Sequence, residues 1–413
     1  MKFHILLSAL LLLSACAPKS SETQFSYDNS SADVHYEPVN AQGTFLDHQV
    51  IEDPMRSTYE QGVWEKSNES SAQTMGVDTS VINRVNIVFV GDGYTSSQLA
   101  QYKKDVDSNI ERLSLVEPFK NYLDYFRFHR VDVVSKESGV SQEVKGKAKD
   151  TALGMSFYCG GIQRLLCINA NKAMKEAQNA PKVDSVFALA NTSVYGGAGY
   201  RSPAISTLAA RNPSALELAL HEFAHSFAAL ADEYDYQGSS DNCAAAANVS
   251  AKSRTDLFLS KSKWFRWLDV ANVGAYKGSC YSLNYYRPTE NSKMRSLGRP
   301  FEPVNAEQMV ISIYKRVRPV EFATKEGTLK GQQVIEARAM KPSSHKLSIV
   351  WTIDSKEIAA LKDSETFDSL KLGLVSGKSY KISVRVVDRT PAVRDEDARS
   401  KYMTQILNWK LKL

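Results

Sequence analysis

Histidine is scarce in this chain, seven in 413 residues, yet two histidines stand four apart in His221-Glu222-Phe223-Ala224-His225. On a helix, residues i and i+4 share one face, so both imidazoles can reach a single metal ion. Glu222 lies between them, placed to take a proton from a water that the metal activates rather than to bind the metal. The chemistry this spacing serves is hydrolysis. A zinc ion at such a site takes three protein ligands and keeps its fourth position for water.

The surrounding text supplies the helix. Asn212-Pro213 is a good opening, with an N-cap side chain and a proline at the first helical position. The run Ala-Leu-Glu-Leu-Ala-Leu leads into the motif, and Ser-Phe-Ala-Ala-Leu-Ala follows it. A helix this apolar is buried on most sides, and two histidines and a glutamate inside it need partners. Beyond it, Asp232 and Glu233 stand within about two turns of His225. Either carboxylate reaches back only if the helix breaks or tightens near 228–230, and no glycine marks that break.

His-Glu-Phe-Ala-His-Ser-Phe-Ala-Ala-Leu-Ala-Asp-Glu-Tyr (221–234) resembles the active-site segment of the IgA-protease-type metallopeptidase family. The resemblance extends to Val88-Phe89-Val90-Gly91-Asp92-Gly93-Tyr94-Thr95, similar to the family's opening strand and Gly-Asp-Gly-Tyr turn. Glu117-Pro118-Phe119 with Tyr122, and Asn191-Thr192 with the glycine-rich 195–200, resemble its segments upstream of the active-site helix. Tyr286-Arg287-Pro288 and Met294-Arg295 resemble a downstream segment, so the likeness covers about 80–318 in order.

The resemblance implies a zincin-like catalytic domain of α/β (α+β) class, with a mixed sheet and the active-site helix packed on it. It implies one catalytic Zn2+ on His221 and His225 with Glu222 as general base, Asp232 as third ligand and Glu233 in reserve. Family members carry glycine at one or both of the positions held here by Ala224 and Ala228. Met294 would form the hydrophobic base beneath the metal. Tyr286 is the candidate oxyanion donor because it precedes that methionine, with Tyr234 and Tyr200 as competitors among nineteen tyrosines. The polypeptide substrate would lie extended against a strand edge, where Gly196, Gly197 and Gly199 permit close approach or simply make a turn.

Location is read from the other end. Met1-Lys2 followed by an apolar run over 5–13 is the pattern of a secretory signal, too short to span a bilayer. Leu13-Ser14-Ala15-Cys16 resembles a bacterial lipobox, which predicts a lipid on Cys16 and an anchor in the cell envelope. Ala17 lacks the aspartate often associated with inner-membrane retention, which favours the outer membrane. Of five cysteines, four then remain for an oxidising compartment. Of the three possible pairings, Cys159 with Cys167 and Cys243 with Cys280 are favoured, both local.

These readings divide the chain into a signal peptide (1–15), a lipid-anchored tether and irregular extension (16–75), a metallopeptidase domain (76–318) and a β-sandwich (319–413). In the metallopeptidase domain, 85–90, 126–134 and 184–190 read as strands and 97–113 as an amphipathic helix. In the last region, 333–339, 346–353, 366–372, 379–387 and 403–411 alternate apolar and polar residues between turns, predicting an immunoglobulin-like sandwich. A net charge of +5 without a basic stripe gives no sign of a nucleic-acid partner, and a monomer is favoured. The leading expectation is a lipid-anchored zinc endopeptidase. Its rivals are a catalytically silent surface-binding lipoprotein, which has no chemical need for Glu222, and a zinc amidase of cell-wall peptides, which would spare ordinary polypeptides.

Overall fold

The structure, a computed structural model, describes three short N-terminal strands by their backbone and residues 83–413 apart from 201–202 and 236–242. The expected signal peptide and Cys16 lie outside the described residues, and among those described no helix is long and apolar enough to cross a membrane.

The strands β1 (Asp33–Tyr36), β2 (Gln49–Glu52) and β3 (Ala72–Met75) come first. They are followed by β4 (Val85–Asp92), α1 (Leu99–Leu113), β5 (Phe126–Val131), α2 (Ala170–Ala177), β6 (Ser185–Ala190), β7 (Gly197–Tyr200) and β8 (Ile205–Ala209). All eight strands form one sheet in the order β2-β1-β7-β8-β6-β4-β5-β3. Its centre is parallel, β8 with β6, β6 with β4 and β4 with β5, while β7, β1, β2 and β3 run antiparallel to their neighbours. The extension expected to be irregular thus lends three strands to the sheet. Short polar strands such as Asp33–Tyr36 carry little pattern, and they are specified by the edges they pair with.

Strand alternation divides the core in two. Val85, Ile87 and Phe89 of β4 and Phe187 and Leu189 of β6 face α1 and the motif helix α3 (Pro213–Ala228). Val88, Val90, Val186 and Ala188 face α2 and the loop segment 153–168. Every residue of β4 and β6 is buried, as expected of parallel strands covered on both faces. Phe223 of α3 meets Phe187 edge-to-face at 5.7 Å and Phe119 at 5.9 Å, and burial of each such ring contributes roughly 1.5–3 kcal/mol. This packing fixes the motif helix on the sheet.

After α3 come α4 (Arg254–Ser260), the hairpin β9 (Tyr276–Ser279) and β10 (Ser282–Arg287), and α5 (Glu302–Tyr314), which packs on α3. The remainder forms two sheets. One contains β11 (Val320–Ala323), β13 (Val334–Ala339) and β16 (Thr366–Asp368). The other orders β12 (Gly327–Lys330), β18 (Thr404–Lys412), β17 (Ser379–Val387), β14 (Ser348–Ile353) and β15 (Lys356–Glu357). Trp351 of β14 packs on Phe367 of the other sheet at 5.5 Å and on Trp409 at 5.8 Å. The sheets are tied to the preceding part of the chain by the buried Asp388, which accepts from Tyr122 (3.0 Å) and Tyr314 (2.7 Å) and meets His345 Nε2 at 2.7 Å.

A His-His-Asp cluster at the exit of the motif helix

Asn212 caps α3 by accepting the Ser214 N–H at 3.0 Å, and Pro213 occupies its first turn. The exit is where sequence gave no signal. Ala229 adopts a left-handed conformation (φ 51°, ψ 36°), and the Leu230 N–H bonds back to Ala224 O at 3.3 Å. This is the helix-ending turn usually taken by glycine, here taken by alanine. It reverses the chain within two residues and lets Asp232 return to the histidine face.

There the Nε2 atoms of His221 and His225 lie 3.0 Å apart, and Asp232 Oδ1 is 3.1 Å from each. All three residues are at least 95 % buried. Each Nδ1 faces a backbone carbonyl, Lys293 O at 3.1 Å for His221 and Leu230 O at 2.7 Å for His225. A carbonyl only accepts, so each Nδ1 carries the proton and each Nε2 turns its lone pair inward. Two such nitrogens and a carboxylate oxygen packed this closely repel one another unless a cation lies among them. A tetrahedral zinc with bonds of about 2.0–2.1 Å spaces its ligand atoms about 3.3 Å apart. The donor set and the spacing fit such an ion.

Glu233 goes the other way. Its carboxylate accepts from Asn248 (3.0 Å), Asn305 (2.8 Å) and Ser292 (2.7 Å), away from the histidines. Full burial pushes its carboxyl pKa up, against the pull of those three bonds. Glu233 therefore pins the loop after α3 to α5 and to the turn at 292–294, while Asn248 holds Ala231 from both sides at 3.0 and 2.8 Å. That turn also carries Met294, fully buried, whose carbonyl accepts the Glu233 N–H at 2.8 Å. Lys293 reaches back to Glu217, one turn before His221, and burial lowers its pKa with Glu217 opposing.

Glu222 is 3 % exposed and packs against Gly199 of β7: a Cβ on Gly199 would stand 2.1 Å from Glu222 Oε2. The glycine makes room for the carboxylate. A Cβ on Gly197 would meet Thr207 O and Leu218, and one on Gly196 would meet Phe157, so these glycines serve packing within the chain. The outer edge of β7 pairs with β1, His35 opposite Gly199. The Gly-Asp-Gly-Tyr turn has an internal task as well: Asp92 accepts from Leu153 N, Met155 N, Thr151 Oγ1 and Ser135 Oγ, holding the loops beside the sheet.

The candidate tyrosines have different surroundings. Tyr286 is half-buried on β10 with its backbone paired to Ser250, and among the described residues no hydrogen bond joins its side chain to the cluster. Tyr200 bonds Ile168, and Tyr234 lies 3.3 Å from the hydroxyl of Tyr281. Tyr281 donates to Asp232 Oδ2. Sequence reasoning missed it; the one available signal was its place beside Cys280. Both favoured disulfides, Cys159–Cys167 and Cys243–Cys280, are formed.

A mixed α/β sheet with a His-His-Asp cluster on its packed helix is the layout of a metallopeptidase. Residues 75–271, which contain the cluster and Glu222, match the model of the family described as IgA Peptidase M64. No curated protein matches the chain.

Proposed function

We propose that the protein is a zinc-dependent endopeptidase of the cell envelope. In this reading His221, His225 and Asp232 hold one zinc, and Glu222 is the general base. The observation that carries it is the convergence of two Nε2 atoms and Asp232 Oδ1 at 3.0–3.1 Å, with Glu222 on the same helix. When bound, zinc supplies the polarisation that brings a water's pKa toward neutrality. Glu222, boxed by Gly199, takes that water's proton and hands it to the leaving amine. The Nδ1 bonds to Lys293 O and Leu230 O keep both imidazoles in the ligating tautomer. Tyr286 remains the candidate oxyanion donor by its place in the resemblance.

The same reading takes residues 76–318 as a zincin-like domain and 319–413 as an immunoglobulin-like sandwich, supported by the two facing sheets around Trp351. Lipidation at Cys16, after a signal peptide, places the enzyme at the outer membrane or another outward-facing surface. Leu13-Ser14-Ala15-Cys16 supports that, and two disulfides suit an oxidising compartment.

The test is digestion of a polypeptide library by the protein with a strong zinc chelator and after zinc is restored. Internal cleavage lost on chelation and recovered with one zinc per chain is expected. Cleavage that persists without metal contradicts the reading. Polypeptides left intact while cell-wall peptides are cut would replace it with the amidase reading.

A further inference from the structure

The β9–β10 hairpin turns through just two residues, Cys280 and Tyr281, with Ser279 paired to Ser282 across the turn. Both turn residues have positive φ, 52° and 59°. Two-residue turns of this kind are ordinarily made by asparagine, aspartate or glycine, because other side chains are disfavoured there. Cysteine and tyrosine hold the positions here, and local backbone preference does not account for either. What each side chain does after the turn accounts for both.

Cys280 is bonded to Cys243, which fixes the turn to the segment after α3. The backbone of the turn lies along the chain that carries Asp232. Cys280 N–H donates to Asp232 O at 3.1 Å, Tyr281 N–H to Tyr234 O at 3.1 Å, and Ser279 Oγ to Asp232 O at 3.0 Å. The Tyr281 side chain then folds inward, 5 % exposed, edge-to-face on Tyr234 at 5.3 Å, and its hydroxyl donates to Asp232 Oδ2. The other oxygen of that carboxylate, Oδ1, is the one 3.1 Å from both histidine nitrogens.

We propose that Tyr281 is the positioning residue for the third metal ligand: its hydroxyl holds Asp232 Oδ2 so that Oδ1 alone is presented to the ion. The proposal rests on the zinc reading above. It assigns a role to a residue outside the matched segment 75–271. Loss of that hydroxyl removes a contact that fixes the carboxylate's orientation, and a turn about its terminal bond would present both oxygens and crowd the position that water needs. An outer partner of a ligand of this kind is worth about 10–100-fold in metal affinity.

The experiment compares full-length wild type, Tyr281→Phe and Tyr234→Phe. Zinc affinity is measured by competition with a chromophoric chelator, the visible spectrum by cobalt substitution, and the fold by melting of the metal-free proteins. Tyr234→Phe removes a hydroxyl from the same buried pair without touching Asp232, so it controls for packing. The expected result is one zinc per chain in all three, with affinity about 10–100-fold weaker in Tyr281→Phe alone. Its cobalt spectrum should shift, while that of Tyr234→Phe should not. Equal affinity and an unchanged spectrum in Tyr281→Phe overturn the proposal. So does an equal loss in both variants, or a Tyr281→Phe protein whose metal-free form is unfolded, since the hydroxyl would then serve the fold. If wild type itself binds no zinc, the underlying zinc reading fails, and that outcome is visible before any variant is compared.

Discussion

Replacing Gly199 with alanine adds one methyl group to β7 and tests the placement of Glu222 without altering a single polar group. The φ of Gly199 lies outside the left-handed region, so the backbone accepts alanine and the effect is one of contact. The new Cβ would stand 2.1 Å from Glu222 Oε2, 2.5 Å from Cδ and 2.8 Å from Cβ. Non-bonded atoms settle at about 3.5 Å, so the carboxylate must retreat by more than about 1 Å. Its Cβ is fixed to α3, so the carboxylate swings while helix and strand ease apart only slightly. A displacement of about 1 Å in a reacting group costs on the order of 100-fold in rate, within the 10²–10⁴-fold that a general base contributes. The assay is steady-state peptide hydrolysis with zinc content and melting temperature measured on the same sample. The expected variant keeps one zinc, melts within a few degrees of wild type and loses about 100-fold in kcat. The double variant Gly199→Ala/Glu222→Gln should be no slower than Glu222→Gln alone, because both act through one carboxylate. A Gly199→Ala enzyme within about threefold of wild type, or a double variant whose losses multiply, would refute the reasoning.

Two further outcomes follow from buried groups beside the site. Asp92→Ala leaves two buried N–H groups and two hydroxyls without their acceptor and should cost on the order of 3–5 kcal/mol, read from urea unfolding. A loss below about 1 kcal/mol would remove Asp92 as the organiser of those loops. His129 of β5 is fully buried with Nε2 2.8 Å from Asn86 Oδ1, and burial, aided by Arg127, pushes its pKa down to about 4. Between about pH 6.5 and 4 the unfolded chain holds a proton there that the folded chain does not, so stability falls as pH falls. The slope from this group approaches about 1.4 kcal/mol per pH unit, and His129→Gln should remove it from an acid titration of stability. An unchanged acid slope in the variant would assign it elsewhere.

The motif helix was legible because its signals are local. Asn212, Pro213 and the apolar run carry start and burial in consecutive residues, and the strands at β4, β6 and β17 announce themselves by composition or alternation. The helix exit was not legible, because an alanine takes a conformation that sequence assigns to glycine, and only packing of the following residues explains why. Asp232 and Glu233 are adjacent and chemically alike, so only the partners that claim Glu233, from 15 to 72 residues away, separate them. Tyr281 was missed for the same reason: its contact with Asp232 spans 49 residues and depends on a turn no tyrosine would suggest. The glycines of β7 read either as room for a substrate or as a turn, whereas the space at Gly199 is filled by Glu222, a residue of the same chain. Helices α2, α5 and α6 (Glu396–Tyr402) went unread because short or evenly apolar helices blur the 3.6-residue period.

The central claim is that Glu222 moves the proton for peptide hydrolysis at a His221–His225–Asp232 metal site. It is tested most directly by kcat/KM on a cleavable peptide for wild type and Glu222→Gln, both loaded to one zinc per chain. The account predicts equal zinc occupancy and a rate lower by about 10²–10⁴-fold in the glutamine variant. Equal rates at equal occupancy would contradict it.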